Sequence, residues 1–342
     1  MKRAELHLSY YPYTLDLRHE FSVASGSRKT TPVVLTKIEF EGIVGYGEAS
    51  MPPYLGESVE SVLAFLSKVN LSLIDDVFDI ESVIKYLDSI APGNFAAKAS
   101  LDIALHDLIG KIVGKPWFRI WDLDPALAPL TSFTIGIGES EIVREKVFEA
   151  EPYKILKVKL GGGNDREMIN TIREITDKPL FVDVNQGWTD RYYALDMIQW
   201  LKDQNVILIE QPMPGSMEVD IDWLVNHSPL PVFADEAVKT IDDLKQKKGL
   251  YHGVNIKLMK CGGMHRAFDM IQIAREAGMK VMVGCMTETS CAVSAAAQLS
   301  PAADFADLDG NLLITNDCFL GVKILDGFVS LSGGHGIGVI EK

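Results

Sequence analysis

As a string of apolar and polar positions, the chain changes rhythm near residue 129. Beyond it, short β-branched or aromatic runs recur at 132–135, 155–159, 181–185, 207–210, 232–235, 254–257, 280–283 and 304–308. Between them lie stretches whose apolar residues return at helical spacing. The runs start roughly 25 residues apart, one strand–helix unit each. Eight such units predict parallel strands that close into an α/β fold, a (β/α)-barrel of modified TIM type. The competing open, doubly wound sheet calls for a glycine-rich nucleotide turn after an early strand, and the sequence has none.

The first 125 residues follow another pattern. The β-rich run at 31–40, the pair Glu41-Gly42 and the resumption at 43–46 predict a hairpin. Ala97, Leu101, Ala104, Leu108 and Ile112 then share one helical face, and Gly114 and Pro116 stop the helix. Strands followed by helices predict an α+β domain. Beyond residue 318 the text is again rich in β-formers and glycine. The expected organisation is an α+β capping domain over 1–125, a barrel over 126–317, and a segment over 318–342 that returns to the cap.

Composition narrows the partners. A formal charge of −14 argues against nucleic acid and anionic membrane, since both need a positive face. No run approaches the ~18 apolar residues of a membrane span, and the basic opening Met1-Lys2-Arg3 leads into no apolar stretch, so no secretory signal is expected. Cys261, Cys285, Cys291 and Cys318 form no CxxC pair and are expected as free thiols in a cytoplasmic protein. A homo-oligomer is compatible with all of this.

The chemistry gathers at the strand ends. Lys159, Asp183, Glu210, Asp235 and Lys257 close successive runs at intervals of 24, 27, 25 and 22 residues, and side chains at the C-terminal ends of barrel strands share one rim. Charged groups there are costly unless paired or metal-bound. Asp183, Glu210 and Asp235 offer only hard oxygen donors, which suits Mg²⁺, with Mn²⁺ as a substitute. Lys157 and Lys159, two apart on one strand, face the same way, and their proximity is expected to lower each other's pKa towards that of a general base. Lys257 faces them from across the rim. Any one carboxylate could be a cap or ion-pair residue; three in register with flanking lysines argue for a site. Gly161-Gly162-Gly163 reads as a turn, because no Lys-Ser/Thr follows, and so does Gly334-His335-Gly336-Ile337-Gly338. Cys285 and Cys291 fit packing better than catalysis.

With these residues in place, the chain resembles the enolase superfamily, and within it the muconate-cycloisomerase-like subgroup. The resemblance rests on Lys157-Val158-Lys159, Asp183-Val184-Asn185-Gln186-Gly187-Trp188, Glu210-Gln211-Pro212, Ala234-Asp235-Glu236 and the run from Asn255 through Lys257 and Lys260 to Gly263. Val184 and Ala237 depart from the commoner Ala and Ser. The resemblance implies that Asp183, Glu210 and Asp235 bind Mg²⁺, which holds a substrate carboxylate and stabilises an enediolate. It further implies that Lys159 and Lys257 are the opposed acid/base pair and that Lys157 tunes Lys159. No histidine ends a strand, which disfavours the histidine-base branches.

The last strand narrows the reaction. Asp307 and Asp309 are two apart and want a cation, for which a substrate ammonium is the obvious candidate. This ending, with Met286-Thr287-Glu288-Thr289, is similar to the dipeptide epimerases, among which L-Ala-D/L-Glu epimerisation, linked to murein peptides, is the commonest activity. The resemblance thus implies an isomerase acting on a dipeptide. Thr134, Glu288 and Thr289 join the expected substrate-binding set. Residues 15–30 read as a capping loop carrying Arg18, Arg28 and Lys29, and Arg28 is the choice for an acidic side chain. The alternatives are o-succinylbenzoate synthesis or cycloisomerisation in the same subgroup, and a non-catalytic metal-binding scaffold.

Overall fold

The structure, a computed structural model, describes residues 6–23, 26–331 and 334–342. The opening Met1-Lys2-Arg3 and residues 24 and 25 of the expected capping loop lie outside the described residues.

Three antiparallel strands begin the fold: β1 (His7–Val23), β2 (Gly26–Phe40) and β3 (Ile43–Ser50). Phe40 pairs with Ile43 across Glu41-Gly42, whose φ angles of 51° and 79° give the two-residue turn that matches strand twist. The predicted hairpin is there, but it is longer than expected. The described part of 15–30 is paired strand rather than loop, with Asp16 opposite Thr30 and Phe21 opposite Arg28. The register shifts between Asp16 and Phe21, where Arg18, His19 and Glu20 interrupt the alternation. An irregularity of this kind erases the period of two from the sequence while the pairing continues.

Three helices follow, α1 (Val59–Leu66), α2 (Ile80–Ile90) and α3 (Phe95–Ile112). In α3 every residue from Ala96 to Gly110 is buried, so it is a core helix rather than an amphipathic one. It lies unusually close to β3. A Cβ on Gly45 would collide with the Ala104 carbonyl, and one on Gly47 with the Ser100 carbonyl. Asp107 of α3 accepts from Tyr46 N on β3 and from Ile337 N in the tail, both at 3.0 Å.

The eight parallel strands are β4 (Ser132–Ile135), β5 (Ile155–Lys159), β6 (Leu180–Asp183), β7 (Val206–Glu210), β8 (Val232–Ala234), β9 (Gly253–Lys257), β10 (Lys280–Gly284) and β11 (Phe305–Asp307). They follow chain order around the barrel, each beside the next. Between β11 and β4 the ladder reduces to one bridge, Thr131 with Ala306. The seam is completed by side chains: Ser132 Oγ donates to Asp307 Oδ1 at 2.7 Å and Thr131 Oγ1 accepts from Leu308 N at 2.8 Å.

Beyond residue 318 the tail runs against the cap. Lys37 pairs with Glu341 at 2.7 Å, and Trp117 N donates to Gly336 O at 3.2 Å. Among the described residues no helix is long and apolar enough to cross a membrane.

Candidate active site

Alternation along the strands builds the site in two storeys. Phe181, Leu208 and Phe233 point into the barrel and, with Met282, form a buried apolar plug beneath the rim. Phe305 meets the rings of Phe181 and Phe233 edge-on, each at 5.6 Å. Two residues further on, the same faces carry Asp183, Glu210 and Asp235. Water is therefore excluded below the carboxylates, and the cost of burying them must be met from above or between them.

Asp183, Glu210 and Asp235 bring ligand oxygens within 4.8 Å of one another, all buried. Lysines surround them. Lys159 Nζ lies 2.6 Å from Asp183 Oδ2, and Lys257 Nζ 2.7 Å from Asp235 Oδ2, so the two ammoniums approach from opposite flanks. Lys157, fully buried, reaches Asp307 and Glu210 at 2.7 Å each and Asp183 at 3.2 Å. Burial alone would lower the Lys157 pKa, but Asp307, Glu210 and Asp183 hold it well above the usual value. Burial likewise opposes charge on Lys257, yet Asp235 holds it high. The expected downward push of lysine on lysine is outweighed at Lys157, because the carboxylates around it are closer and more numerous.

The carboxylates divide. Despite burial, Asp183 is kept low by Lys159 and Lys157, and Asp235 very low by Lys257 and Lys260. Glu210 is raised to about 7 by burial and by its acidic neighbours. Its Oε2 lies 2.7 Å from Lys157 Nζ yet receives no well-directed hydrogen bond. Three converging oxygen donors, one of them poorly satisfied, form the donor set that a hard divalent cation completes.

Asp307 and Asp309 both face the cavity above this floor, but they are not equivalent. Asp307 is neutralised by Lys157, whereas among the described residues the Asp309 carboxylate is bonded only to Thr134, whose backbone N donates to its Oδ2 at 2.6 Å. Burial and the Asp307 charge raise Asp309 to about 7. Of the two aspartates, Asp309 is thus the one with an unmet need for a cation.

The cavity holds about 420 Å³ and is roofed by Phe21, Arg28, Pro53 and Tyr54 from the cap. Arg28 Nη2 donates to Thr287 Oγ1 at 3.1 Å, its Nε is buried without a partner, and among the described residues it meets no carboxylate. Burial lowers its pKa. Thr134 lines the cavity. Glu288 and Thr289 do not: Thr289 N donates to Glu48 of β3 at 3.0 Å, and Glu288 is a buried neighbour of the same Glu48.

Four residues had no role in the sequence reading. Lys260 Nζ donates to Asp235 Oδ1, Asp235 O and Asn255 O at 2.7, 2.8 and 2.7 Å, and Asn255 Nδ2 donates to Glu210 Oε1 at 2.8 Å. Both lie in the quoted motif that runs from β9 into the following turn of helix, so the signal was present but its purpose was not. Glu236, beside Asp235, accepts from Asn185 at 3.1 Å and is raised to about 7 by burial and Asp235. Glu48 carries no sequence signal, because its partners are some 240 residues away.

Residues 12–123 match the mandelate racemase / muconate lactonizing enzyme N-terminal domain, and residues 141–340 the enolase C-terminal domain-like family. An L-Ala-D/L-Glu epimerase of Bacteroides thetaiotaomicron is 57% identical over 98% of this chain and 88% of its own length. A dipeptide epimerase of Enterococcus faecalis, solved with Mg and L-Leu-L-Tyr, superposes with a TM-score of 0.91 at 30% identity, covering 98% of this chain and 99% of that one. A substrate-liganded L-Ala-D/L-Glu epimerase of Bacillus subtilis gives 0.89 at 25% identity, covering 98% of each chain. With both domain models matched and relatives this similar end to end, the chain belongs to the mandelate racemase / muconate lactonizing enzyme family of the enolase superfamily.

Proposed function

We propose that the protein is a Mg²⁺-dependent dipeptide epimerase that interconverts L-Ala-L-Glu and L-Ala-D-Glu by 1,1-proton transfer at the α-carbon of the second residue. The observation that carries this is one cavity with lysines opposed across a carboxylate triad, an acid short of a cation and an arginine short of an anion. Those unmet charges match a dipeptide with a free ammonium and an acidic side chain. The 57% identical relative supports the same substrate.

Asp183, Glu210 and Asp235 would hold Mg²⁺, which supplies positive charge to the substrate carboxylate as negative charge builds on it. Lys159 and Lys257 face the α-carbon from either side: the neutral one takes the proton, the other, as ammonium, returns one to the opposite face. Asp309 receives the ammonium and Arg28 the glutamyl carboxylate. Lys157 ties Asp307 to Glu210 and Asp183, and so fixes the rim. Glu288 and Thr289 act at one remove, by seating the loop that carries Thr287. The division into cap (1–125), barrel (126–317) and returning tail (318–342) follows the same logic, with the cap choosing side chains and the barrel doing the chemistry. The four free thiols fit a reducing, cytoplasmic setting.

Incubation with L-Ala-L-Glu and a panel of dipeptides in D₂O with Mg²⁺ tests the proposal. The expected result is deuterium at the second residue's α-carbon together with inverted product. Absence of exchange with every dipeptide would sink it.

A further inference from the structure

A second cavity, of about 30 Å³, lies beside the first. Its walls come from β1, β4, the segment 312–313 and the helix Ser140–Glu149. Phe21, Thr134 and Leu313 line both cavities, so the two adjoin. At its side sits Lys146, only 5% exposed. Among the described residues its ammonium donates no hydrogen bond and forms no ion pair. Glu149, one turn on, is engaged by His19 at 2.9 Å. Lys146 Nζ is 3.6 Å from where a Cβ on Gly136 would stand, and Gly136 lines the same cavity, so the ammonium faces a backbone without a side chain there. An ammonium at the end of a largely buried side chain, with no direct acceptor, is costly to keep, and burial lowers its pKa although the charges of Glu149 and Glu145 act the other way.

We infer that this small cavity is the subsite for the side chain of the dipeptide's first residue, and that Lys146 makes it receptive to short side chains ending in a hydrogen-bond acceptor. The inference rests on the epimerase reading. There the substrate ammonium meets Asp309, which is bonded to Thr134 N, and Thr134 is the wall shared by the two cavities. The first residue's Cα therefore lies next to Thr134, with the small cavity beside it. The volume admits about two water-sized groups, enough for the end of a serine, asparagine or aspartate side chain and too little for an aromatic ring. A hydrogen bond to the ammonium, replacing none within the protein, should favour such a side chain by about ten-fold over an apolar one of equal shape.

The test compares kcat/KM for L-Asn-L-Glu, L-Leu-L-Glu and L-Ala-L-Glu in the wild-type enzyme and in Lys146→Met. Asparagine and leucine share their shape and differ in the acceptor. The wild type should prefer L-Asn-L-Glu over L-Leu-L-Glu by about ten-fold, and the methionine variant should bring that ratio close to one. Turnover of L-Ala-L-Glu with no such preference in the wild type, or with the same preference in Lys146→Met, would overturn the subsite alone and leave Lys146 hydrated by water only. No turnover of any dipeptide would instead remove the epimerase reading on which the subsite stands. The wild-type ratio decides the matter even if the variant fails to fold.

Discussion

At the scale of single residues, the two rim lysines make separable predictions. Lys159→Ala and Lys257→Ala should each cut epimerisation by about 10³-fold or more, because each face of the α-carbon needs its own proton carrier. Each variant should still exchange the α-proton of one epimer in D₂O, and opposite epimers for the two variants; full turnover in either would refute a two-base scheme. The two aspartates of the last strand should part company as well. Asp309→Ala should raise KM by roughly 10- to 100-fold, the worth of a lost charged hydrogen bond, with a smaller effect on kcat. Asp307→Ala should lower kcat, since it frees Lys157 from one of its anchors; equal KM effects from both changes would count against the assignment. That Asp183, Glu210, Asp235 and the lysines share one rim was legible in the sequence because the barrel repeat converts spacing into position. Asp309 and Asp307 looked alike there. Only the Lys157 contact, which joins the second strand to the last across the seam, distinguishes them.

At the scale of elements, the closest packing in the cap is between β3 and α3, and it depends on two positions. Gly45 and Gly47 let the strand rest on the helix backbone at Ala104 and Ser100. Gly47→Ala should destabilise the protein by about 2 kcal/mol or more, since the obstructing atoms are backbone and cannot swing aside; thermal denaturation reads this directly, and an unchanged midpoint would show that the helix can retreat. The barrel strands were legible because each is a short apolar run flanked by helical text, and the observed bounds differ from the expected ones by a residue or two. The register of β1 was not. Its pairing with β2 survives a shift that leaves charged residues where alternation would place apolar ones, and Arg28 reaches the cavity because its strand continues over the mouth.

At the scale of the whole molecule, cap and barrel are joined by a buried acidic contact that has nothing to do with proton transfer. Glu48 on β3, with no exposure, accepts from Thr289 N at 3.0 Å and from Ala292 N at 3.3 Å, at the start of the barrel helix Ser290–Ala297. Helix N-termini favour an anion, but burial raises Glu48 to about 7 all the same, and burial with the Glu48 charge raises Glu288 to about 8. Asp317 adds to the pressure on Glu48, and Lys257 relieves Glu288 in part. Both folded values lie above the usual 4.5, so the folded state binds more protons than the unfolded chain between about pH 4.5 and 8. Their favourable contribution is complete below pH 4.5 and is lost as the pH rises through 7 and 8. Glu288→Gln removes one of these titrations while keeping the shape. With Mg²⁺ saturating, so that the rim carboxylates are fixed in both proteins, the variant should gain on the wild type as pH is raised from 6 to 8.5, by an amount of order 1 kcal/mol or more. That corresponds to a few degrees in Tm. Parallel Tm–pH curves for the two proteins would mean that Glu288 titrates like an exposed carboxyl, and that the join between cap and barrel is insensitive to pH.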